Sequence, residues 1–134
     1  MNIKLRAWDK DRKYMEYTDK NLVVCFSDGG VDAVDHTTFS LSCTSMENFE
    51  LMQSTGLKDK NGTEIYEGDI VEFKYPYDKR IKTTGVIVWN DNIACFGISM
   101  KETTEQYELY RITAENYLTV MGNRYTNPEL LEEE

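Results

Sequence analysis

Residues Leu51 to Tyr75 read LMQSTGLKDKNGTEIYEGDIVEFKY, the densest run of backbone instruction in the chain. Three of the eight glycines fall in it. Gly56 is expected to close one apolar run, Asn61-Gly62 is a dipeptide that accepts positive φ at both residues, and Gly68-Asp69 launches the alternating run Ile70 to Tyr75. A tight type I′ turn at Asn61-Gly62 would join Leu57-Lys58 to Glu64-Ile65. The following strand should stop at Pro76, which has no N–H for a ladder. The oxygen-bearing run Asp59 to Glu64 resembles a calcium loop only superficially. With Gly62 in the sixth position of an EF-hand loop, Leu57 takes the first and Gly68 the twelfth, where acidic ligands are required. Nor do the three glycines match a phosphate-binding spacing.

Downstream, Gly85-Val86-Ile87-Val88-Trp89 is apolar on both faces and predicts a central strand. Asn90-Asp91-Asn92 should turn the chain into a further strand, Ile93 to Met100. Tyr107 to Ile112 fits either a strand or a helical turn, and Thr113 to Asn116 reads as a connector. The last strand is expected over Tyr117 to Met121, closed by Gly122-Asn123. Asn127-Pro128-Glu129 has the form of an N-cap followed by proline at the first helical position, predicting one or two helical turns through Leu131. A Gly-Asp-apolar-Val strand, a variable connector and a Gly-Val-apolar-Val strand, in that order, are the opening strands of a small SH3-like, partly open β-barrel.

Upstream, Ile3, Leu5 and Ala7 alternate with Lys4, Arg6 and Trp8, and alternation resumes at Lys13 to Tyr17 after the polar break Asp9 to Arg12. An N-terminal β-hairpin is the simplest product. Leu22 to Phe26 is a short apolar strand ended by the turn signal Ser27-Asp28-Gly29-Gly30, and Val31 to Ser45 reads as weak strands or an ordered loop. Glu50 to Ser54 should form a short strand leading into Gly56. The expected fold class is mostly β: one domain over 1–134, with a hairpin and variable segment over 1–45 and the barrel over 46–134.

Composition narrows the function. The 134 residues carry 40% apolar side chains and no apolar run approaching the roughly 18 residues of a membrane span, so a soluble core is expected and no membrane partner. The opening MNIKLRAWDKD reaches charge too soon for a signal peptide, and Cys25, Cys43 and Cys95 are odd in number and unpaired in spacing, which suits reduced thiols in a cytoplasm. A net charge of −9 opposes binding to a phosphate backbone, which draws its affinity from clustered Lys and Arg. The local basic cluster Lys79, Arg80 and Lys82, with Tyr75 and Tyr77 as stacking groups, is the candidate patch for the alternative of nucleic-acid association. A nucleic-acid mimic is a variant that rests on the acidic charge alone.

His36 is the only histidine. Beside Asp35 it lacks the second histidine or the Ser-His-Asp order that general-base chemistry would need, and no motif predicts a metal, cofactor or catalytic residue. The aromatic residues Trp8, Tyr66, Trp89 and Tyr125 are the candidate interaction surface, each also a plausible core residue. The expected role is a non-enzymatic protein-interaction module, self-associating or binding another protein.

Three blocks carry a family resemblance. They are Lys4 to Asp9 (KLRAWD), Leu51 to Val71 (LMQSTGLKDKNGTEIYEGDIV) and Val120 to Leu131 (VMGNRYTNPELL). Together they resemble the YopX family of phage and prophage proteins, in which the central block reads close to TGLKDKNGKEIYEGDIV and the tail close to GNIYENPELL. This chain departs at Thr63, Arg124 and Thr126. The resemblance implies a phage-derived cytoplasmic protein with a β-rich core, and carries over no activity, cofactor or catalytic residue.

Overall fold

The computed structural model describes residues 3–20, 22–27, 30–35, 43–45, 49–74, 82–101 and 106–132. Within them the chain is mostly β, with a half-barrel sheet, one α-helix and one 3-10 turn. It divides into two compact units, Met1–Gln53 and Ser54–Glu134.

In the first unit, β1 (Leu5–Asp9) pairs antiparallel with β2 (Tyr14–Tyr17), the expected hairpin. Asp9 makes its turn: Oδ1 accepts from the Asp11 and Arg12 N–H groups at 3.0 and 3.1 Å, and Lys13 N–H donates to the Asp9 carbonyl at 2.8 Å. Alternation predicted only one buried face for β1, yet Arg6 and Ala7 are both buried, whereas Ile3 lies outside the strand and is exposed. A strand with a neighbour on each edge, here β2 and β6 (Phe49–Lys58), is covered more completely than its pattern suggests. Leu22 to Phe26 is a strand as expected: β3 (Leu22–Ser27) pairs with β4 (Gly30–Asp35) up to Ser27↔Gly30, and β4 with β5 (Cys43–Ser45). Ala7, Leu22 and Phe49 form this unit's buried cluster.

The strand predicted to end at Gly56 does not. β6 continues through it, pairing β1 over Phe49–Gln53 and β7 (Glu64–Tyr66) at Ser54↔Tyr66 and Lys58↔Glu64. Three residues of β6 therefore face one of β7, a bulge that Gly56 permits with φ +79°. Thr55 Oγ1 fastens the bulge, donating to the Ile65 carbonyl at 2.7 Å.

In the second unit, β8 (Asp69–Lys74), β9 (Lys82–Asn90), β10 (Cys95–Met100) and β11 (Gln106–Glu108) form an antiparallel meander. Helix α1 (Arg111–Tyr117) then returns the chain to β12 (Leu118–Asn123), which pairs with β8, so the order is β11-β10-β9-β8-β12. Four meandering strands, a short helix and a fifth strand beside the first is the SH3-like order expected. Ile65, Val71, Ile87, Ile98, Ala114 and Leu118 fill its core. Fully burying one such branched aliphatic contributes about 1.5–3 kcal/mol.

Several boundaries differ from expectation. β10 begins at Cys95, because Asp91 to Ala94 form a longer turn in which Ala94 takes φ 50°. Tyr107 to Ile112 divides between β11 and α1, and the supposed connector Thr113 to Asn116 is helical. No side-chain cap marks that helix start, and tertiary burial of Ala114 holds it. Gly122 lies within β12 at a register shift and does not end it. The last helical segment is a 3-10 turn, Pro128–Leu131, with Asn127 before it. The Asn127 side chain does not cap it; Oδ1 accepts from the Asn123 N–H at 3.2 Å instead.

Candidate functional site

Asp59, Asp69 and Asn123 are buried polar residues at the ends of the second unit's strands, and each accepts from backbone N–H groups. Asp59 is 4% exposed. Its Oδ1 accepts from the N–H groups of Asn61 at 2.9 Å and Thr63 at 2.8 Å, and its Oδ2 accepts from the N–H of Val120 in β12 at 2.8 Å. Beside it, Lys60 N–H donates to the Leu118 carbonyl at 3.0 Å. The turn Asp59 to Thr63 is thus built on a side chain. It is not the type I′ turn predicted: Gly62 has φ +84°, but Asn61 does not adopt positive φ, and Asp59 N–H closes the loop on the Thr63 carbonyl at 2.9 Å.

Asp69 plays the same part, with Oδ2 accepting from Tyr66 N–H at 2.8 Å. The intervening Gly68, at φ +89°, donates its N–H to the Ile87 carbonyl and accepts from Arg124 N–H. Asn123 Oδ1 accepts from the N–H groups of Tyr125 and Thr126 at 3.0 and 2.8 Å. A buried carboxylate is tolerated where donors replace its water, and the three that hold Asp59 are main-chain N–H groups. Such oxygens shape turns.

Surface aromatic and aliphatic groups make a second arrangement. Trp89, 43% exposed, packs edge-on against Phe96 with centroids 5.1 Å apart. Tyr107 in β11 is 53% exposed, and Tyr110 and Ile112 beyond it are more so. Tyr110 Oη donates a short hydrogen bond to Glu108 Oε2. That bond, and then the Glu108 charge, raise the Tyr110 pKa above its usual 10.0.

Four different elements carry the aromatic residues singled out from the sequence. Trp8 is half-buried in β1. Tyr66 in β7 is 4% exposed and belongs to the interior, which removes it from any interaction surface. Trp89 in β9 is exposed. Tyr125 is half-buried after β12, with the Arg124 guanidinium 5.1 Å from its ring centroid and Nη2 donating to its hydroxyl at 3.1 Å. Of the basic cluster, Lys79 and Arg80 lie outside the described residues, as do His36, Tyr75 and Tyr77, while Lys82 opens β9. Tyr107, Tyr110 and Ile112 were missed as surface groups. Their only signal was the undecided strand-or-helix pattern at Tyr107 to Ile112.

Among the described residues, no group of three or more His, Cys, Asp or Glu side chains could hold a metal ion, and no helix is long and apolar enough to cross a membrane.

Two solved structures share this architecture over nearly their whole length. Protein EF1440 from Enterococcus faecalis is 27% identical with a TM-score of 0.62, the match covering 98% of this chain and 99% of that one. YopX from Bacillus subtilis is 25% identical with a TM-score of 0.70, covering 100% and 99%. No curated protein matches the sequence. The family profile described as YopX protein matches residues 4–132, so the chain belongs to the YopX family.

Proposed function

We propose that this YopX-family chain is a non-catalytic protein-interaction module acting in the cytoplasm of a phage-bearing or prophage-bearing host. The observation that carries this reading is the set of exposed side chains Trp89, Tyr107, Tyr110 and Ile112 on the second unit. Large aromatic and aliphatic groups exposed on strands β9 and β11 and at the start of α1 are suited to buried interface contacts. Two further features support it: the buried Asp59 carboxylate is held by three main-chain N–H donors, and the net charge of −9 disfavours a phosphate backbone as ligand.

The test is light scattering of the full chain, together with retention of host proteins on the immobilised chain. A defined oligomer, or one stoichiometric partner lost in Trp89→Ala or Tyr107→Ala, is the expected result. A chain that stays monomeric and retains nothing contradicts the reading.

A further inference from the structure

Strand β11 is an edge of the five-stranded sheet, with β10 on one side and, among the described residues, no strand paired on the other. All three of its residues, Gln106, Tyr107 and Glu108, are exposed. Their backbone directions follow from the ladder. Leu109 N–H donates to the Phe96 carbonyl at 3.0 Å, which makes Phe96 and Leu109 a hydrogen-bonded pair. In an antiparallel ladder such pairs alternate, so Ile98↔Tyr107 is the next one, while Gly97↔Glu108 and Ser99↔Gln106 are non-bonded pairs. Tyr107 therefore directs its N–H and C=O toward β10. Gln106 and Glu108 direct theirs away from the sheet.

From this placement we propose that β11 is a self-recognition edge, pairing antiparallel with β11 of a second copy of this chain about a two-fold axis through Tyr107. This inference rests on the interaction-module reading and names its partner and site.

Register and charge both select this arrangement. With Tyr107 facing Tyr107 of the second copy, Gln106 faces Glu108 of the second copy and Glu108 faces Gln106. All outward N–H and C=O groups of both strands are then used, in four reciprocal hydrogen bonds. Centring the pair on Gln106 or Glu108 instead would place that residue opposite itself, so that Gln106 and Glu108 would no longer face each other across the pair. Centring on Glu108 would also set two carboxylates against each other. In the Tyr107-centred register each carboxylate meets a neutral amide. Tyr110 Oη holds Glu108 Oε2, and Oε1 remains to accept from the Gln106 amide of the second copy. The two Tyr107 rings lie side by side at the non-bonded position, where cross-strand side chains approach most closely. A bare sheet edge is a template for another strand, and this pairing covers it with a closed two-fold contact.

The test is sedimentation equilibrium of the full chain over a concentration series at low salt, comparing it with Gln106→Lys, Gln106→Glu and Gln106→Pro. The expected result is a monomer–dimer equilibrium. Gln106→Lys sets a cation against Glu108 of the second copy, and Gln106→Glu an anion. Their dissociation constants should move in opposite directions by about threefold to tenfold, the scale of two cross-strand charge pairs. Gln106→Pro removes an outward N–H and should abolish the dimer without changing thermal unfolding at low concentration. A wild-type monomer throughout overturns the edge assignment, as does a dimer insensitive to all three substitutions. The latter result leaves the interaction-module reading standing. A monomer that also retains no host protein removes both.

Discussion

At the β12 edge of the five-stranded sheet, the Val120 N–H and the Leu118 carbonyl meet Asp59 and Lys60, while at the β11 edge Gln106 and Glu108 meet solvent. The first edge is finished by a turn 61 residues earlier in the chain, whose Asp59 carboxylate and Lys60 N–H take the hydrogen-bonding places of a neighbouring strand. Among the described residues the second edge has no such plug, and exposed Tyr107, Tyr110 and Ile112 lie along and beyond it. Unpaired strand edges invite association, so the proposed contact belongs at the bare edge and not at the sealed one. The sealed edge is where stability is concentrated. The bare edge is where a partner has something to gain.

The strongest way to break this comparison is to remove the plug. Asp59→Ala leaves three N–H donors without their acceptor, and urea unfolding should show a loss of about 3–4 kcal/mol. Asp59→Asn retains an oxygen for Asn61 and Thr63 but turns an amide donor toward Val120 N–H, and should lose about 2 kcal/mol. A change below about 0.5 kcal/mol in both variants would mean that the edge is not held by this side chain.

Gly97→Ala acts on the other edge. A Cβ there would stand 2.8 Å from the Tyr107 carbonyl oxygen, so β11 itself must move. The expected cost is about 1–2 kcal/mol by the same denaturation, with weakening of any dimer. Gln106→Pro removes an outward N–H and the exposed hydrogen bond that Asn90 Nδ2 donates to Gln106 Oε1 at 3.3 Å, so its monomer should unfold within about 0.5 kcal/mol of wild type.

The smallest effect is a titration. Because Glu108 raises the Tyr110 pKa above 10.0, the neutral phenol is the favoured folded form. The contribution to stability is intact below pH 10 and is lost as pH rises through the raised value. Ultraviolet titration should show a late tyrosine component that disappears in Tyr110→Phe and shifts back toward pH 10 in Glu108→Gln. An unchanged curve in Glu108→Gln would remove Glu108 as the cause.

The strands of the second unit were legible because their alternation and their apolar runs are local. Val86 to Trp89 reads as central from its own composition, and β9 is central. The turn residues were visible, but what they hold was not. Asp59-Lys60-Asn61-Gly62 announces a reversal of chain direction, and nothing in those four residues tells that the carboxylate also grips Val120. Gly56 looked like a terminator because a glycine inside a strand and a glycine after one have the same local signature, and only the longer β6 partner distinguishes a bulge. Helix α1 escaped notice for a related reason. Seven residues containing β-branched Ile112 and Thr113, without a cap, have little intrinsic preference for helix, and packing of Ala114 decides the matter. The motifs that carry the family resemblance include Asp59, Gly62, Gly68, Asp69, Gly122, Asn123 and Asn127. Five of these seven take part in the turn hydrogen bonds described above, and so those motifs record a fold more than a chemistry.

Amide hydrogen exchange, read residue by residue by NMR at low protein concentration, tests the contrast between the edges most directly. The Val120 and Thr63 amides, both bound by Asp59, should exchange at least about 1000-fold more slowly than those of Gln106 and Glu108, which should gain protection as concentration rises. Equal exchange at the two edges, or protection of Gln106 and Glu108 that is independent of concentration, would contradict a sheet sealed at β12 and open at β11.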